Sequence, residues 1–256
     1  MSISSTVFQG ADIAFREATP ALRPHVGCFW VLTVRPGATI RLVPEGGAAI
    51  QRAVRGEGWT LRGPVLDPAE RRYPAAAVLV GVRLRPGVAH AVTGLPADRT
   101  VGERLAIGGI EPVPADAPPQ RHVDALERFL VARLAEVRVP EVVAAAVAHI
   151  ERARGDVRVQ EVAARCGVSP RHLGRLLRRW VGFGPKRFAR VVRFQTTLHA
   201  LDRAPATPAA SLAATHGFAD QAHLAREVAG LAGATPRRLA SDAASDFFKT
   251  RCEEGA

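Results

Sequence analysis

A chain of 256 residues can form one large domain or two ordinary ones, and its 47% hydrophobic and 23% charged residues exclude a disordered chain. The formal charge of +11 favours an anionic partner. The longest apolar stretches, such as residues 142–150, are too short to span a bilayer, and the N-terminus lacks the basic and apolar regions of a secretion signal. We therefore expect a cytoplasmic protein with no membrane partner.

The three cysteines, Cys28, Cys166 and Cys252, are far apart and odd in number. They predict neither a disulfide framework nor a paired-cysteine metal site, and a reducing compartment is their natural setting. We expect no cofactor and no bound metal.

Residues 1–110 have the pattern of a β-rich domain. Short apolar or alternating runs are separated by glycine and proline turn signals. These runs occupy residues 28–34, 39–43, 48–54, 59–61 and 77–84. A short helix is expected over residues 86–93, ended by Gly94. Four prolines within residues 111–119 then predict a linker. Apolar residues at helical spacing follow from about residue 123 to residue 240, broken by short turns.

The most informative feature is an internal repeat in the second half of the chain. Residues 161–167 are echoed fifty positions later by residues 211–217, and after one extra residue an offset of fifty-one holds. The second offset pairs Ser169 with Asp220, Leu173 with Leu224, Arg175 with Arg226, Leu177 with Val228, Gly182 with Gly233 and Pro185 with Pro236. Random helical sequence does not keep caps, glycines, apolar positions and prolines in one register. The repeat therefore indicates two copies of one structural unit.

Each copy has the pattern of a helix-turn-helix. Gly167 and Gly217 lie where a tight turn needs a left-handed backbone, and Ser169 and Asp220 are suited to cap the helix that follows. Apolar residues four positions apart then anchor that helix to a core. The predicted fold class is α+β, with a β-rich N-terminal domain followed by an all-α DNA-binding domain. In that second domain two helix-turn-helix units are joined by a long helix.

The outward face of each second helix is polar and mostly basic. It presents Arg171, His172, Arg175 and Arg178 in the first copy, and Gln221, His223 and Arg226 in the second. Arginine can bond guanine O6 and N7 together, and glutamine can do the same with adenine N6 and N7. Residues 159–240 also carry 13 basic and 4 acidic residues, or +9 of the total +11. We therefore predict double-stranded DNA as the partner and these outward residues as its contacts.

A helix over residues 186–201, with Pro185 in its first turn, is expected between the two units. Sixteen residues of helix are about 24 Å long. Such a rod could hold two recognition helices roughly one DNA turn, about 34 Å, apart. One monomer would then read two successive major grooves.

These motifs resemble those of the AraC/XylS family of transcriptional regulators. The resemblance covers about residues 141–240 and rests above all on Gly217-Phe218-Ala219-Asp220-Gln221-Ala222-His223, followed by Arg226 and by residues 233–236. It implies base contacts from both recognition helices, at Arg171, His172, Gly174 and Arg175 in the first and at Gln221, Ala222, His223 and Arg226 in the second. Gly174 offers no side chain for such a contact, and Leu224 and Val228 stand where the family often has phenylalanine, which predicts a looser second core.

The N-terminal half resembles the β-rich domain of one branch of this family, through residues 28–30, 44–46, 62–64, 81–87 and 94–97. This implies an effector or dimerisation domain over residues 1–110, a linker and connecting helix over 111–139, the DNA-binding domain over 140–240 and a tail over 241–256. A small-molecule effector and RNA polymerase are expected as further partners of a monomer or homodimer. Arg83 and Arg85 fit either an anion site or a structural role at a strand edge, and Trp30 and Trp59 fit either a pocket or packing.

An enzyme with an appended DNA-binding domain is the competing interpretation. A metal-dependent β-domain needs two or three histidines with a carboxylate, but the β region has only His25 and His90, not at His-x-His spacing. A DNA-repair methyl acceptor needs a reactive cysteine, and Cys28 lies in an apolar run. No glycine-rich phosphate loop or nucleophile elbow is present. A protein scaffold remains a third class, which salt-dependent DNA binding would distinguish.

Overall fold

The computed structural model describes residues 6–8, 10–136, 138–204, 206–236 and 239; the predicted tail over residues 241–256 lies outside this range. The described strands are β1 (Thr6–Phe8), β2 (Ala11–Arg16), β3 (Val26–Val34), β4 (Thr39–Leu42), β5 (Ala48–Ala53), β6 (Trp59–Arg62), β7 (Ala69–Arg72), β8 (Ala77–Leu84) and β9 (Arg104–Ile107). Seven of them form an antiparallel sheet in the order β1-β2-β3-β8-β5-β6-β9, and β4 pairs with β7 in a separate two-stranded ribbon.

Each face of the large sheet has its own covering, because side chains alternate between faces along a strand. On one face Phe29, Ile50 and Val82 form a core with the helices α1 (Val88–Thr93) and α2 (Pro119–Glu136). Arg16 of β2 fixes α2 to the sheet through Asp124 and Glu127, at 2.7 and 2.8 Å. On the other face, Ile13, Leu32 and Leu79 pack with Ile40 and Tyr73 from the ribbon and the loop after it. The domain is therefore a sheet between a helical layer and a short ribbon.

The C-terminal half consists of six helices in the described residues. They are α3 (Glu141–Arg152), α4 (Val159–Arg165), α5 (Pro170–Val181), α6 (Pro185–Arg203), α7 (Ala209–Thr215) and α8 (Gln221–Ala232). The first half of α6 contributes Phe188, Ala189 and Val192 to a core with α3, α4 and α5. Its second half contributes Phe194, Leu198 and Leu201 to a core with α7 and α8. A single 19-residue helix, about 28 Å long, is thus shared by both units.

The β-rich domain packs directly on the helical one. The rings of His90 and Trp180 meet edge to face, with their centroids 4.3 Å apart, at the C-terminal end of α5. Farther along, Gly46 lies against the ring of Phe188, and Gln195 of α6 donates a hydrogen bond to the carbonyl of Pro44. Both α5 and α6 are therefore in contact with the N-terminal domain.

The α+β architecture agrees with the predicted fold class, and the five predicted strands correspond to β3, β4, β5, β6 and β8 with ends that differ by at most two residues. The strands β1, β2, β7 and β9 were not predicted. The helix expected over residues 86–93 begins at Val88 and ends at Gly94 in a left-handed conformation. Among the described residues, none of the helices combines the length and the apolar character needed to cross a membrane.

Candidate nucleic-acid interface

The first helix-turn-helix unit consists of α4, a tight turn and α5. The turn passes through Gly167, whose φ of 65° lies in the left-handed region. The hydroxyl of Ser169 then accepts a hydrogen bond from the backbone N–H of His172, which caps α5. Leu173 and Leu177 are both fully buried in the core below. The predicted capping residue and the predicted anchors are therefore confirmed.

The second unit, formed by α7, its turn and α8, has the same local geometry. Gly217 has a φ of 68°, and the carboxylate of Asp220 accepts a hydrogen bond of 2.6 Å from the N–H of His223. This backbone hydrogen bond lowers the pKa of Asp220 below its ordinary value. Leu224 and Val228 are fully buried, so the predicted looseness of the second core is not apparent at these two positions.

Packing these anchors leaves a basic ridge on the opposite side of α5. Arg171, Arg175 and Arg178 are exposed, and His172 is half-buried. The imidazole Nδ1 of His172 lies 2.9 Å from Nη2 of Arg175, one turn farther along the helix. This contact holds the Arg175 guanidinium against the helix. Gly174, which the family resemblance places among the base contacts, is buried beside Arg178.

The corresponding ridge on α8 is shorter and less basic. Gln221 and Arg226 are exposed. The side chain of His223 instead turns back toward the turn, where its Nδ1 accepts a hydrogen bond from the N–H of Ala219 and its ring packs edge to face on Phe218, at 5.5 Å between centroids. The ring atom of His223 that is left for a further partner is Nε2.

Two arginines of α6 join the units to each other. Arg190 pairs with Glu227 of α8 at 2.5 Å. Arg193 donates hydrogen bonds to the carbonyls of Gly155, in the first unit, and of Gly217, in the second, at 3.0 and 3.1 Å. Both arginines therefore have partners within the protein.

Loss of the Arg193 bridge is expected to loosen one unit relative to the other. For R193Q we expect binding to DNA with two half-sites to fall about tenfold, since hydrogen bonds to charged groups contribute about 1.5–3 kcal/mol and only part of this reaches the DNA complex. Binding to DNA with a single half-site should fall less than about threefold, because it uses only one of the two units. R187Q, at an exposed position of the same helix, is the matched control. Equal losses on both DNAs in fluorescence anisotropy would contradict the bridging role.

The two helix caps should respond differently to acid. S169A is expected to lower the free energy of unfolding by about 1 kcal/mol at any pH, because a hydroxyl cap does not titrate. Asp220 has a lowered pKa in the folded chain, so its stabilising charge is present above the unfolded pKa of about 3.9 and is lost as pH falls below it. The deficit of D220A should therefore shrink between pH 7 and pH 3. Urea titrations at both pH values measure this, and a constant deficit for D220A would be contrary to the capping geometry.

A cavity of about 200 Å³ lies between the large sheet, the β4–β7 ribbon and α6. Trp30 and Cys28 of β3 and Arg83 of β8 line it, and Gln195 and His199 of α6 border it from the DNA-binding side.

Trp59, by contrast, is buried in the opposite core. Arg85 donates to the carbonyl of Arg23 and so has the structural role that the sequence left open. Within the described residues no three histidine, cysteine or acidic side chains are grouped as a metal site would need.

A family model described as a helix-turn-helix domain matches residues 162–241, and one described as a domain of unknown function matches residues 16–106. Apo ToxT from Vibrio cholerae is similar in structure at 9% identity with a TM-score of 0.50, over 91% of this chain and 100% of that one. A probable AraC family transcriptional regulator from Rhodopseudomonas palustris has 26% identity and a TM-score of 0.37, over 41% of this chain and 98% of that one. The C-terminal domain of AraT, a response regulator from Geobacillus stearothermophilus, has 18% identity and a TM-score of 0.39, over 46% of this chain and 96% of that one. No curated protein matches the chain.

The family models and the duplicated unit agree with each other. The helix-turn-helix match covers both units, from within α4 to beyond α8. The two-domain α+β fold agrees with that of ToxT. The second half of this chain is therefore a helix-turn-helix domain, which agrees with the predicted DNA-binding transcriptional regulator.

Proposed function

We propose that one monomer reads two successive major grooves of a DNA duplex, with α5 in one groove and α8 in the next. The observation that carries this proposal is the sharing of α6 between the two hydrophobic cores. Because the same helix is part of both units, and Arg193 bonds to a turn in each, the recognition helices are held in one fixed relation. A fixed relation is what successive grooves on one face of a duplex require.

The exposed side chains have different roles in this proposal. Arg175, positioned by His172, and Arg226 at the equivalent place in α8 read base edges, and Gln221 reads an adenine near the start of α8. Arg171 and Arg178 lie on the flanks of the α5 ridge and contact bases or phosphates there. His223 supports the turn of the second unit and reaches DNA only through Nε2.

The N-terminal domain controls this reading through a small-molecule effector. Support comes from the position of the cavity, which is bordered by Gln195 and His199 of the same helix that joins the two units. A molecule in the cavity therefore contacts the β-rich domain and α6 together. A ligand that binds more tightly when α6 has one placement than when it has another will favour the first placement. The affinity of the protein for DNA then changes by at most the ratio of the two ligand affinities.

Selection from random duplex DNA with the full chain tests the two-groove proposal. We expect two short motifs whose centres are about 10–10.5 base pairs apart. Moving the motifs apart by five base pairs should abolish the gain from the second motif, because the two recognition helices would then need opposite faces of the duplex. Affinity should also fall steeply with salt, as expected for phosphate contacts. Selection of a single motif, or of none, would overturn the proposal.

A further inference from the structure

We propose that the effector is an amphipathic oxyanion, a small molecule with one carboxylate or phosphate group on an apolar body. This inference rests on the proposed control of DNA binding through the cavity and names the ligand class. The strand register places the lining residues in three rows across the floor of the cavity.

The first row is cationic. Adjacent strands pair Cys28 with Arg83, Arg83 with Ala49, Ala49 with Arg62 and Arg62 with Arg104. All five residues line the cavity, so three guanidinium groups lie at one level on the same face of the sheet. Like charges directly opposite each other on neighbouring strands, as Arg62 and Arg104 are, destabilise a sheet. An anion at this level would relieve that repulsion.

The floor becomes less polar away from this row. The second row lies two positions along the strands from the cationic row. There Phe15 pairs with Trp30, and Gln51 lies on the same level. Two residues farther, the level is apolar, with Ile13, Leu32 and Leu79 lining the cavity. From Cys28 to Leu32 the strand rises about 13 Å at roughly 3.3 Å per residue. The cavity therefore has a cationic end and an apolar end, which is the pattern of an amphipathic ligand.

Part of the positive charge is already neutralised within the protein. Glu45 pairs with Arg62 at 2.7 Å and with Arg83 at 3.4 Å. Burial alone would raise the pKa of Glu45, but the two guanidinium groups outweigh burial and the pKa lies below its ordinary value. On the ribbon, Arg41 pairs with Glu70 at 2.9 Å.

Two arginines of the lining have no such carboxylate. Among the described residues neither Arg71 nor Arg104 forms an ion pair, and Arg71 packs over the ring of Tyr73 at 5.1 Å. Burial lowers the pKa of Arg104, and the nearby charge of Arg71 lowers it further. A carboxylate or phosphate between these two guanidinium groups would supply the missing counter-charge and accept charge-assisted hydrogen bonds. The apolar rows would contact the body of such a ligand, which a simple inorganic anion does not have.

Titration of the full chain with matched probes tests the ligand class. Isothermal titration calorimetry would compare octanoate and octyl phosphate with 1-octanol, which keeps the tail but not the charge, and with butyrate, which keeps the charge but not the tail. We expect one molecule of octanoate, octyl phosphate or both to bind per chain, and the control probes to bind at least about tenfold more weakly, since charge-assisted hydrogen bonds and buried apolar area each contribute more than that factor. Binding of octanol as tight as that of both anions, or no binding of either anion, would overturn the proposal.

Variants test the site itself. R71Q with R104Q should weaken the binding of the better anion at least about tenfold, because the loss of a charged hydrogen-bond donor has an effect of this size. R72Q is the matched control, since Arg72 is an exposed neighbour of Arg71 on the same strand and does not line the cavity. The double variant should melt at the same temperature as the parent chain or higher when no ligand is present, because like charges have been removed. An equal effect of R72Q, or a double variant that melts at a lower temperature and still binds the anion normally, would contradict the assignment.

DNA binding separates this inference from the proposed function. Saturating octanoate or octyl phosphate should change the affinity for the selected two-motif DNA at least about threefold. By linkage, this requires only that the anion bind the DNA-free and the DNA-bound protein with affinities that differ about threefold. Anion binding without any change in DNA affinity would refute the proposed control and leave the ligand class intact. Sequence-specific DNA binding without anion binding would refute the ligand class and leave the reading of DNA intact.

Discussion

Replacing Gly155 with alanine is expected to lower the free energy of unfolding by about 2–5 kcal/mol and to disrupt DNA binding. Gly155 lies in the turn between α3 and α4 with a φ of 75°, a conformation that costs other L-residues about 1–2 kcal/mol. A β-carbon at this position would be 2.1 Å from the carbonyl oxygen of Ala189 and 2.7 Å from the backbone nitrogen of Arg193. Both atoms belong to the backbone of α6 and cannot rotate away, so overpacking adds about 1–3 kcal/mol.

G167A is the matched control for this prediction. Gly167 has almost the same backbone conformation, with a φ of 65°, but a β-carbon there would meet no atom within 4 Å. Its cost should therefore be the conformational part alone, about 1–2 kcal/mol. Urea unfolding followed by circular dichroism measures both changes. Equal losses for the two variants would mean that the close approach of the α3–α4 turn to α6 does not constrain the fold.

The helix-turn-helix units were predictable because their signals are local. A glycine, a capping side chain and two apolar residues four positions apart determine the turn, the start of the helix and its buried face within about ten residues. The exposure of Arg175 and Gln221 follows from the burial of Leu173 and Leu224, so the sequence also indicated which side chains lie on the outer face. The repeat then gave the same information twice.

Strands were predicted only where they contain runs of apolar residues. The strand β7 consists of Ala69, Glu70, Arg71 and Arg72, and it lies in the ribbon, where charged side chains reach solvent. The strand β9 is at one edge of the large sheet, and half of its side chains are exposed. β7 has no apolar face that a pattern could reveal, and β9 has only Leu105 and Ile107 on its inner face, too short an alternation to predict a strand. Tertiary pairing supplies the strand conformation of both.

Two parts of the sites depend on residues that are distant in sequence. Arg193 meets Gly155 and Gly217, which are 38 and 24 positions away, so its bridging role had no local signal. The row of Arg83, Arg62 and Arg104 exists because of strand register, and a shift of one residue in any pairing would turn an arginine to the other face. The sequence offered Arg83 as one candidate for an anion site, without the others.

Substitution of the two proposed base-reading arginines is expected to have the largest effect on DNA recognition. R175A and R226A should each cost about 1–3 kcal/mol on the selected DNA and relax the sequence choice at one position of one motif. Each arginine is exposed on a separate recognition helix, so the double variant should lose about the sum, 2–6 kcal/mol, as distant independent sites do. Affinity for unrelated DNA should change much less, because phosphate contacts elsewhere remain.

The pattern of lost specificity identifies the role of each arginine, more than the loss of affinity does. Loss of a side chain that bonds a base edge affects one position in the motif. Loss of a side chain that bonds phosphate weakens binding to all sequences about equally, and it reduces the slope of log affinity against log salt concentration by about one. R72A, on the β7 strand of the N-terminal domain, should change neither quantity. Repeating the selection with R175A should leave the α8 motif intact, and with R226A the α5 motif. If either variant instead weakened every sequence to the same extent, that arginine would be a phosphate contact, and another exposed side chain of the same helix, such as Arg171 or Gln221, would have to read the motif.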